Sequence, residues 1–496
     1  MINKKIAVVF WLSLLLLADV FGQGRPNIIY IYADDLGYGE LGSYGQKIIK
    51  TPNLDRMATE GMLFTQHYTS TPVCAPARAM LLTGRHGGHS YIRGNYEMGG
   101  FSDREEGGQM PLPEGTFTVA HMLKNQGYKT GIIGKWGLGM HFTSGNPNKH
   151  GFDYAYGYLD QKQAHNYYPT HLWENGKRDN LTNKETFVHA KLSEAEATDE
   201  NFNRFTGNEN AIDKMTEKAV SFIKSNKSTP FFLYLPYTLP HVALQAPDRW
   251  IKYYNSYFKN EKPYLGGQGY NPQKYPLATY AAMISYLDEQ VGIILSNIKE
   301  LGLDENTIIM FSSDNGPTFN GGVNAELFNS TANLRGLKMD VYEGGIRVPF
   351  IARWPKHIPS GVKSDLPSVQ YDLMATLAEL TGTEVPTTDG ISFLPTLLGK
   401  PNKQSGRDFI YFEYPEKGGQ LAIRMGDWKG VKIDVRTNPN ASWSLFNLKL
   451  DPKEQNDVAH HNLDVLRKLD EIVLSEHQNA HIREWEFINS KMPISK

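Results

Sequence analysis

Short runs of β-branched and aromatic residues alternate with longer stretches of helical period along this chain. Asn27–Ala33 (NIIYIYA) is apolar at nearly every position and stops at Asp34-Asp35-Leu36-Gly37. Such a run predicts a strand buried on both faces, as in a parallel sheet. Further strands are predicted at 129–134, 230–235, 307–312 and 348–352, the run 307–312 ending in Ser313-Asp314-Asn315-Gly316. Between them lie helical patterns at 51–61, with Pro near its start and Gly at its end, and at 116–127, 210–225, 278–301 and 369–380. The helix 278–301 shows its apolar stripe at Ile284, Leu287, Val291, Ile294 and Leu295. Strands alternating with helices imply an α/β fold with a large, mostly parallel sheet flanked by helices.

The rhythm changes after about Gly399. Short strands at 409–414, 421–424, 430–435 and 442–448, joined by turns such as Gly426-Asp427, precede a charged helix at 458–476. This predicts a smaller C-terminal subdomain of antiparallel sheet plus helix over 401–496, after a catalytic α/β domain over 23–400. The first 22 residues read as a signal peptide: Lys4 and Lys5 lead an apolar run, 6–20, broken only by Ser13 and Asp19, with Gly22 and Gly24 after it. The run is short of the roughly 20 apolar residues that span a bilayer. A mature chain starting near Gln23, secreted or periplasmic and free of the membrane after signal removal, is expected.

Composition narrows the function. Lys plus Arg is 51 and Asp plus Glu 53, a net charge of −2, without the basic excess of a nucleic-acid binder. A single cysteine, Cys74, excludes an intramolecular disulfide and any multi-cysteine metal site.

Candidate chemistry gathers at strand ends. Asp34-Asp35 and Asp314-Asn315 follow two strands some 280 positions apart, and ligands in open α/β sheets sit beyond such carboxyl ends. If those strands are neighbours, three carboxylates and an amide converge. Carboxylates that close repel unless a cation sits among them, and an oxygen-only set suits Ca²⁺ or Mg²⁺. The other cue is Cys74-Ala75-Pro76-Ala77-Arg78, followed by Leu82-Thr83-Gly84-Arg85. Pro76 suits the first turn of a helix, placing Cys74 at the N-terminus, where the macrodipole favours negative charge. Arg78, four residues on, shares that face and can reach back.

This Cys-x-Pro-x-Arg…Leu-Thr-Gly-Arg segment resembles the signature of the type I, formylglycine-dependent sulfatases of the alkaline phosphatase superfamily. The resemblance covers nearly all of the mature chain. It implies that Cys74 is oxidised by a formylglycine-generating maturation enzyme to Cα-formylglycine (3-oxoalanine), whose hydrated aldehyde is the nucleophile. It implies a metal held by Asp34, Asp35, Asp314, Asn315 and the residue made from Cys74. Gly134-Lys135-Trp136 resembles the family's motif whose Lys contacts the formylglycine and the sulfate. Leu239-Pro240-His241 resembles the motif whose His protonates the leaving group, and Lys338 resembles the sulfate-binding Lys. Trp428-Lys429 and residues 445–454 resemble the C-terminal subdomain. Ala77 replaces a frequent Ser. Gly137 replaces the His of Gly-Lys-Trp-His-Leu-Gly, and His141 and His165, nearby in sequence, are the candidate substitutes.

The stretch 165–173 (HNYYPTHLW), with His165 and Asn166, has the aromatic, imidazole and amide groups that suit a sugar. A sulfated polysaccharide or its oligosaccharides, of galactose or galactosamine type, is the expected substrate. Two rival readings are a phosphomonoester or phosphonate hydrolase of the same superfamily, and an inactive sulfatase-like protein that binds glycans.

Overall fold

The computed structural model describes residues 25–384 and 387–488; the signal-peptide segment lies outside them. The large sheet has ten strands. In chain order they are β1 (Asn27–Ala33), β2 (Met62–Phe64), β3 (Lys129–Lys135), β4 (Tyr154–Tyr158), β5 (His171–Glu174), β6 (Lys177–Asn180), β7 (Phe231–Pro236), β8 (Thr307–Ser313), β9 (Phe350–Arg353) and β10 (Val362–Ser364). Their spatial order is β10-β2-β9-β8-β1-β7-β3-β4-β5-β6. The five central strands, from β8 to β4, are parallel. β9 runs antiparallel to both β8 and β2, and β5 and β6 close the other edge as an antiparallel hairpin. The sheet is thus parallel at its centre and mixed at its flanks.

β1 explains why the centre is parallel. Ile29, Ile31 and Ala33 enter one core with Leu233 and Leu235 and the long helix Pro276–Glu300, while Ile28, Tyr30 and Tyr32 enter a second with Phe232 and Tyr234. The second core lies beneath α1 (Cys74–Thr83), α2 (Val119–Asn125) and α3 (Leu373–Thr381). A strand covered on both faces has no polar side to show, hence its unbroken apolar run. α2 starts three residues later than the apolar pattern suggests, because Thr118 accepts a hydrogen bond from the His121 amide and caps it. Among the described residues, no helix is long and apolar enough to cross a membrane.

The second sheet has four antiparallel strands: β11 (Ile410–Tyr414), β12 (Gln420–Met425), β13 (Trp428–Lys432) and β14 (Ser444–Asn447). β13 begins two residues before the predicted strand because the Gly426-Asp427 turn, with Gly426 at φ +57°, pairs Met425 with Trp428. Alternation sorts its faces. Ile410, Phe412, Tyr414 and Ala422 pack on Tyr68, Val341 and Ile346 of the first domain, while Tyr411, Leu421 and Ile423 pack on α4 (Leu463–Glu476). The small sheet is therefore wedged between its own helix and the large domain.

Candidate active site

Register brings the two oxygen-rich clusters together. Ala33 pairs with Ser313, so Asp34 and Asp314 leave adjacent strands side by side. The Asp314 amide donates to the Ala33 carbonyl at 3.1 Å, and the Asp35 amide to Asp314 Oδ1 at 3.0 Å. Consecutive residues of a strand face opposite ways. Asp35 escapes this by taking φ +64°, a costly conformation for a non-glycine residue. As a result Asp34, Asp35, Cys74 and His241 present ligand atoms within 4.8 Å of one another.

Three buried cations thread the carboxylates. Lys135 Nζ, at the end of β3, lies 2.7 Å from Asp34 Oδ2. Lys338 Nζ lies 2.8 Å from Asp35. Arg78 Nη2 is 2.8 Å from Asp314 and 3.2 Å from Asp34, while its Nη1 donates to the Lys135 carbonyl. Arg78 thus clamps the carboxylate floor and does not reach back to Cys74 as the helical spacing suggested. Burial pushes the Asp34 carboxyl up, but Lys135, His241, Arg78 and Lys338 outweigh it and hold the pKa far below the ordinary range. Asp314 goes the other way, to about 7, under burial and the nearby Asp34 charge. Burial lowers Lys338, but Asp35 overrides it and keeps the ammonium charged. Asn315 Nδ2 donates to Asp35 Oδ1 at 2.7 Å, whereas Asn315 Oδ1 is buried with no hydrogen-bond partner among the described residues. An orphaned amide oxygen beside three carboxylates is the donor set of a hard divalent cation.

Cys74 opens α1 and is 2 % exposed. Its Sγ donates to Asp34 Oδ1 at 3.4 Å. Burial, with the Asp34 charge, pushes the thiol well above its ordinary pKa. An unmodified Cys74 is therefore a neutral thiol and a poor nucleophile.

His241 faces the cluster. Its Nδ1 meets the Val242 carbonyl at 2.5 Å, so Nδ1 carries the proton and Nε2 points into the site, 3.6 Å from Asp35 Oδ2. Burial lowers its pKa to about 4. The Tyr167 hydroxyl, 2.6 and 2.7 Å from the carbonyl oxygens of Thr238 and His241, fixes this turn.

Of the three residues expected at the sugar, the structure brings one to the cluster. The half-buried His165 stacks on His241, with ring centroids 5.0 Å apart and planes 11° apart. Asn166 braces the loop instead. Its Nδ2 donates to the Tyr168 carbonyl and Thr186 Oγ1, and its Oδ1 accepts from the Tyr168 amide and Gln245 Nε2. His141 packs on Trp173, centroids 4.3 Å apart, and none of its contacts reaches the cluster. The aromatics of 165–173 belong to the interior: Tyr167, Tyr168 and Trp173 are buried, and β5 begins at His171.

Two residues join His165 unannounced by sequence. His189 Nε2 lies 3.0 Å from His165 Nδ1, and Tyr270 stands edge-on to His165 at 4.9 Å and tilted against His189 at 5.0 Å. His189 has no local signal. Tyr270 follows Gly266-Gly267-Gln268-Gly269, and an aromatic on a glycine-rich loop is the cue that could have found it. A cavity of about 580 Å³, lined by residues such as Asn183, Phe187 and Arg204, contains none of the cluster residues. The chemistry follows the converging charges, not that void.

Comparisons with known proteins find relatives over most of the chain. The sequence model of the sulfatase family matches residues 26–383, and that of the N-sulphoglucosamine sulphohydrolase C-terminal region matches residues 337–479. The N-acetylgalactosamine-6-O-sulfatase of Bacteroides thetaiotaomicron is 30% identical over 91% of this chain and 93% of its own. The N-acetylgalactosamine-6-sulfatase of Canis lupus familiaris is 33% identical over 88% and 78%. The crystal structure of Ps i-CgsB superposes with a TM-score of 0.72 at 31% identity, covering 92% of this chain and 94% of that one, and the same protein has been solved with k-i-k-neocarrahexaose.

Proposed function

The chain belongs to the sulfatase family, whose members hydrolyse sulfate esters, and from that premise we propose that it is an exported enzyme that desulfates a sulfated saccharide through a formylglycine made from Cys74. The observation that carries this reading is the convergence of Cys74, Arg78, Lys135, His241 and Lys338 on the Asp34–Asp35–Asp314–Asn315 oxygen set.

Oxidised and hydrated, residue 74 would supply the nucleophilic hydroxyl, and a Ca²⁺ or Mg²⁺ held by Asp34, Asp35, Asp314 and Asn315 would supply charge that lowers that hydroxyl's pKa. The remaining work falls to side chains. Three carboxylates and three cations leave the cluster formally neutral, so a divalent ion gives it the excess positive charge that draws a sulfate ester. Lys135 and Lys338 neutralise the ester's oxygens as charge builds on them. Arg78 holds Asp34 and Asp314 in place. His241 Nε2 delivers a proton to the departing sugar oxygen; an anionic ester beside the ring raises its low proton affinity and charges it for that step.

The saccharide assignment is supported by the names of the relatives and by the His165–His189–Tyr270 group, which presents imidazole and phenol edges beside the leaving-group acid. A galactose- or galactosamine-type sugar follows from those names. The signal-peptide pattern of residues 1–22 supports export to the periplasm or medium. The two rivals fare less well. A two-metal phosphomonoesterase needs further His and Asp ligands, and among the described residues only His241 joins the carboxylates. An inactive glycan binder has no use for a complete set of buried catalytic cations.

The test is sulfate release from defined sulfated saccharides by protein made with a formylglycine-generating enzyme. Phosphate release without sulfate release, or binding without either, would overturn the reading in favour of the corresponding rival.

A further inference from the structure

Gly137 sits at φ +69°, and a Cβ built there would lie 2.9 Å from Gln161 Cγ. Gln161 occupies the space a side chain at 137 would need. It is 7% exposed, and its amide Nε2 reaches Asn95 Oδ1 at 3.4 Å. That same Asn95 oxygen accepts from the Ala75 amide, next to Cys74, at 3.3 Å. The Asn95 amide in turn donates to Glu416 Oε1 at 2.5 Å, so the C-terminal sheet region holds its backbone.

These contacts settle how the Asn95 side chain is turned. A peptide N–H can only donate, so the oxygen must face Ala75. Two donors occupy that oxygen. Among the described residues the Asn95 Nδ2 group has no partner, and Asn95 is exposed beside the first turn of the Cys74 helix. Gln161 and His165 lie on the same loop after β4, one reaching Asn95 and the other stacked on His241.

We propose that Asn95 is a substrate-binding residue whose Nδ2 donates to an oxygen of the sulfate group over residue 74, and that Gln161, seated on Gly137, is the positioning residue that aims it. This rests on the sulfatase reading above. A charged oxygen is a stronger acceptor than water for such a donor, and neither Asn95 nor Gln161 alters the charge of the resting site.

The alternative is that Asn95 only caps the helix from outside. Aspartate separates the two. In Asn95→Asp the carboxylate still accepts from Ala75, and its charge suits a helix N-terminus, but the donor is gone. The probe is inorganic sulfate, titrated calorimetrically into metal-loaded Cys74→Ala protein, which cannot turn over. Asn95→Asp in that background should weaken sulfate binding about 10- to 100-fold, the range for a hydrogen bond to a charged group, with an unchanged or higher Tm. Asn95→Ala should weaken it in the same direction, and Gln161→Ala by about two- to tenfold. In the matured enzyme the same changes should appear in KM more than in kcat. Sulfate affinity unchanged in both Asn95 variants, or weakened in the Asp variant alone, overturns the proposal, as does a parent protein that binds no sulfate. Whether matured wild-type protein releases sulfate is scored separately and bears only on the sulfatase reading.

Discussion

Lys135 and Lys429 are both buried lysines at the end or middle of strands, and both meet carboxylates. Lys429 lies 2.9 Å from Glu343 and 2.8 Å from Glu454 at the seam between the large domain and the small sheet. Glu343 also accepts from the Tyr68 hydroxyl and lies near Arg347, and Glu454 accepts from the Glu343 amide. The seam is a closed knot in which each carboxylate has its cation. The cluster around Lys135 has six charged groups to the seam's four and, among the described residues, leaves Asn315 Oδ1 and Arg78 Nε without a partner, whereas Glu454 Oε1, the seam's one buried atom lacking a hydrogen bond, still has the Lys429 ammonium at 2.8 Å. Equal burial with unequal satisfaction separates a fastening from a reaction site. A fastening uses up its polar atoms, whereas a site keeps some in reserve for a ligand.

The sharpest way to break this comparison is to remove the metal. Chelation should abolish sulfate release and Ca²⁺ or Mg²⁺ should restore it, while circular dichroism shows the fold intact. Zinc as the sole restoring ion would refute the oxygen-ligand assignment, since zinc recruits nitrogen and sulfur. Next, His241→Ala should slow cleavage of alkyl sugar sulfates about 10²- to 10⁴-fold, the usual worth of a general acid. p-Nitrophenyl sulfate, whose leaving group departs without a proton, should suffer far less. Equal losses on both substrates would remove His241 from proton transfer.

At the seam the expected effect is on folding. Lys429→Met leaves Glu343 and Glu454 facing each other in the interior and should cost about 3–5 kcal/mol in urea unfolding. A cost under about 1 kcal/mol would show that the seam is not the closed knot described. A more gradual effect, spread over pH, belongs to a buried polar group outside both clusters. His67 touches Ser368 through Nδ1 at 2.9 Å, and burial lowers its pKa to about 3. Below about pH 6.5 the unfolded chain takes up a proton that the folded one refuses. Stability should therefore fall from pH 6.5 towards 3 by up to about 1.4 kcal/mol per unit, with no contribution above that window. His67→Asn should flatten the slope relative to wild type; parallel curves would contradict it.

The parts of this molecule legible in its sequence are those where one local rule dominates. β1 and β8 are apolar throughout because both faces are covered, and their acidic ends stand out against that background. Cys74, Pro76 and Arg78 carry their spacing on a single helix. The strands towards the two flanks of the sheet, β2, β5, β6 and β10, were not legible: each is only three or four residues long and is held by its partners more than by its own pattern. The stretch 165–173 mixes both cases. Its aromatics read equally well as a sugar platform or as core, and only tertiary packing decided for core. His189 and Tyr270, and likewise Asn95 and Gln161, come from separate loops, so the meeting within each pair is a property of the fold, and only the glycine-rich run before Tyr270 marks any of the four in the sequence.

The burial of Cys74 also has a consequence for timing. Its sulfur lies under the Asp34 carboxylate, between strands whose pairing must wait until residue 313 has been made. An oxidising enzyme that needs the thiol in its own active site finds nothing to grasp once β1 and β8 have zipped together. Under the proposed formylglycine reading, modification and folding of this chain are competitors in a race. Slow closure of a loop some 280 residues long favours the modifying enzyme, and any substitution that hastens the pairing of β1 with β8 would yield well-folded protein with an inert thiol at its centre.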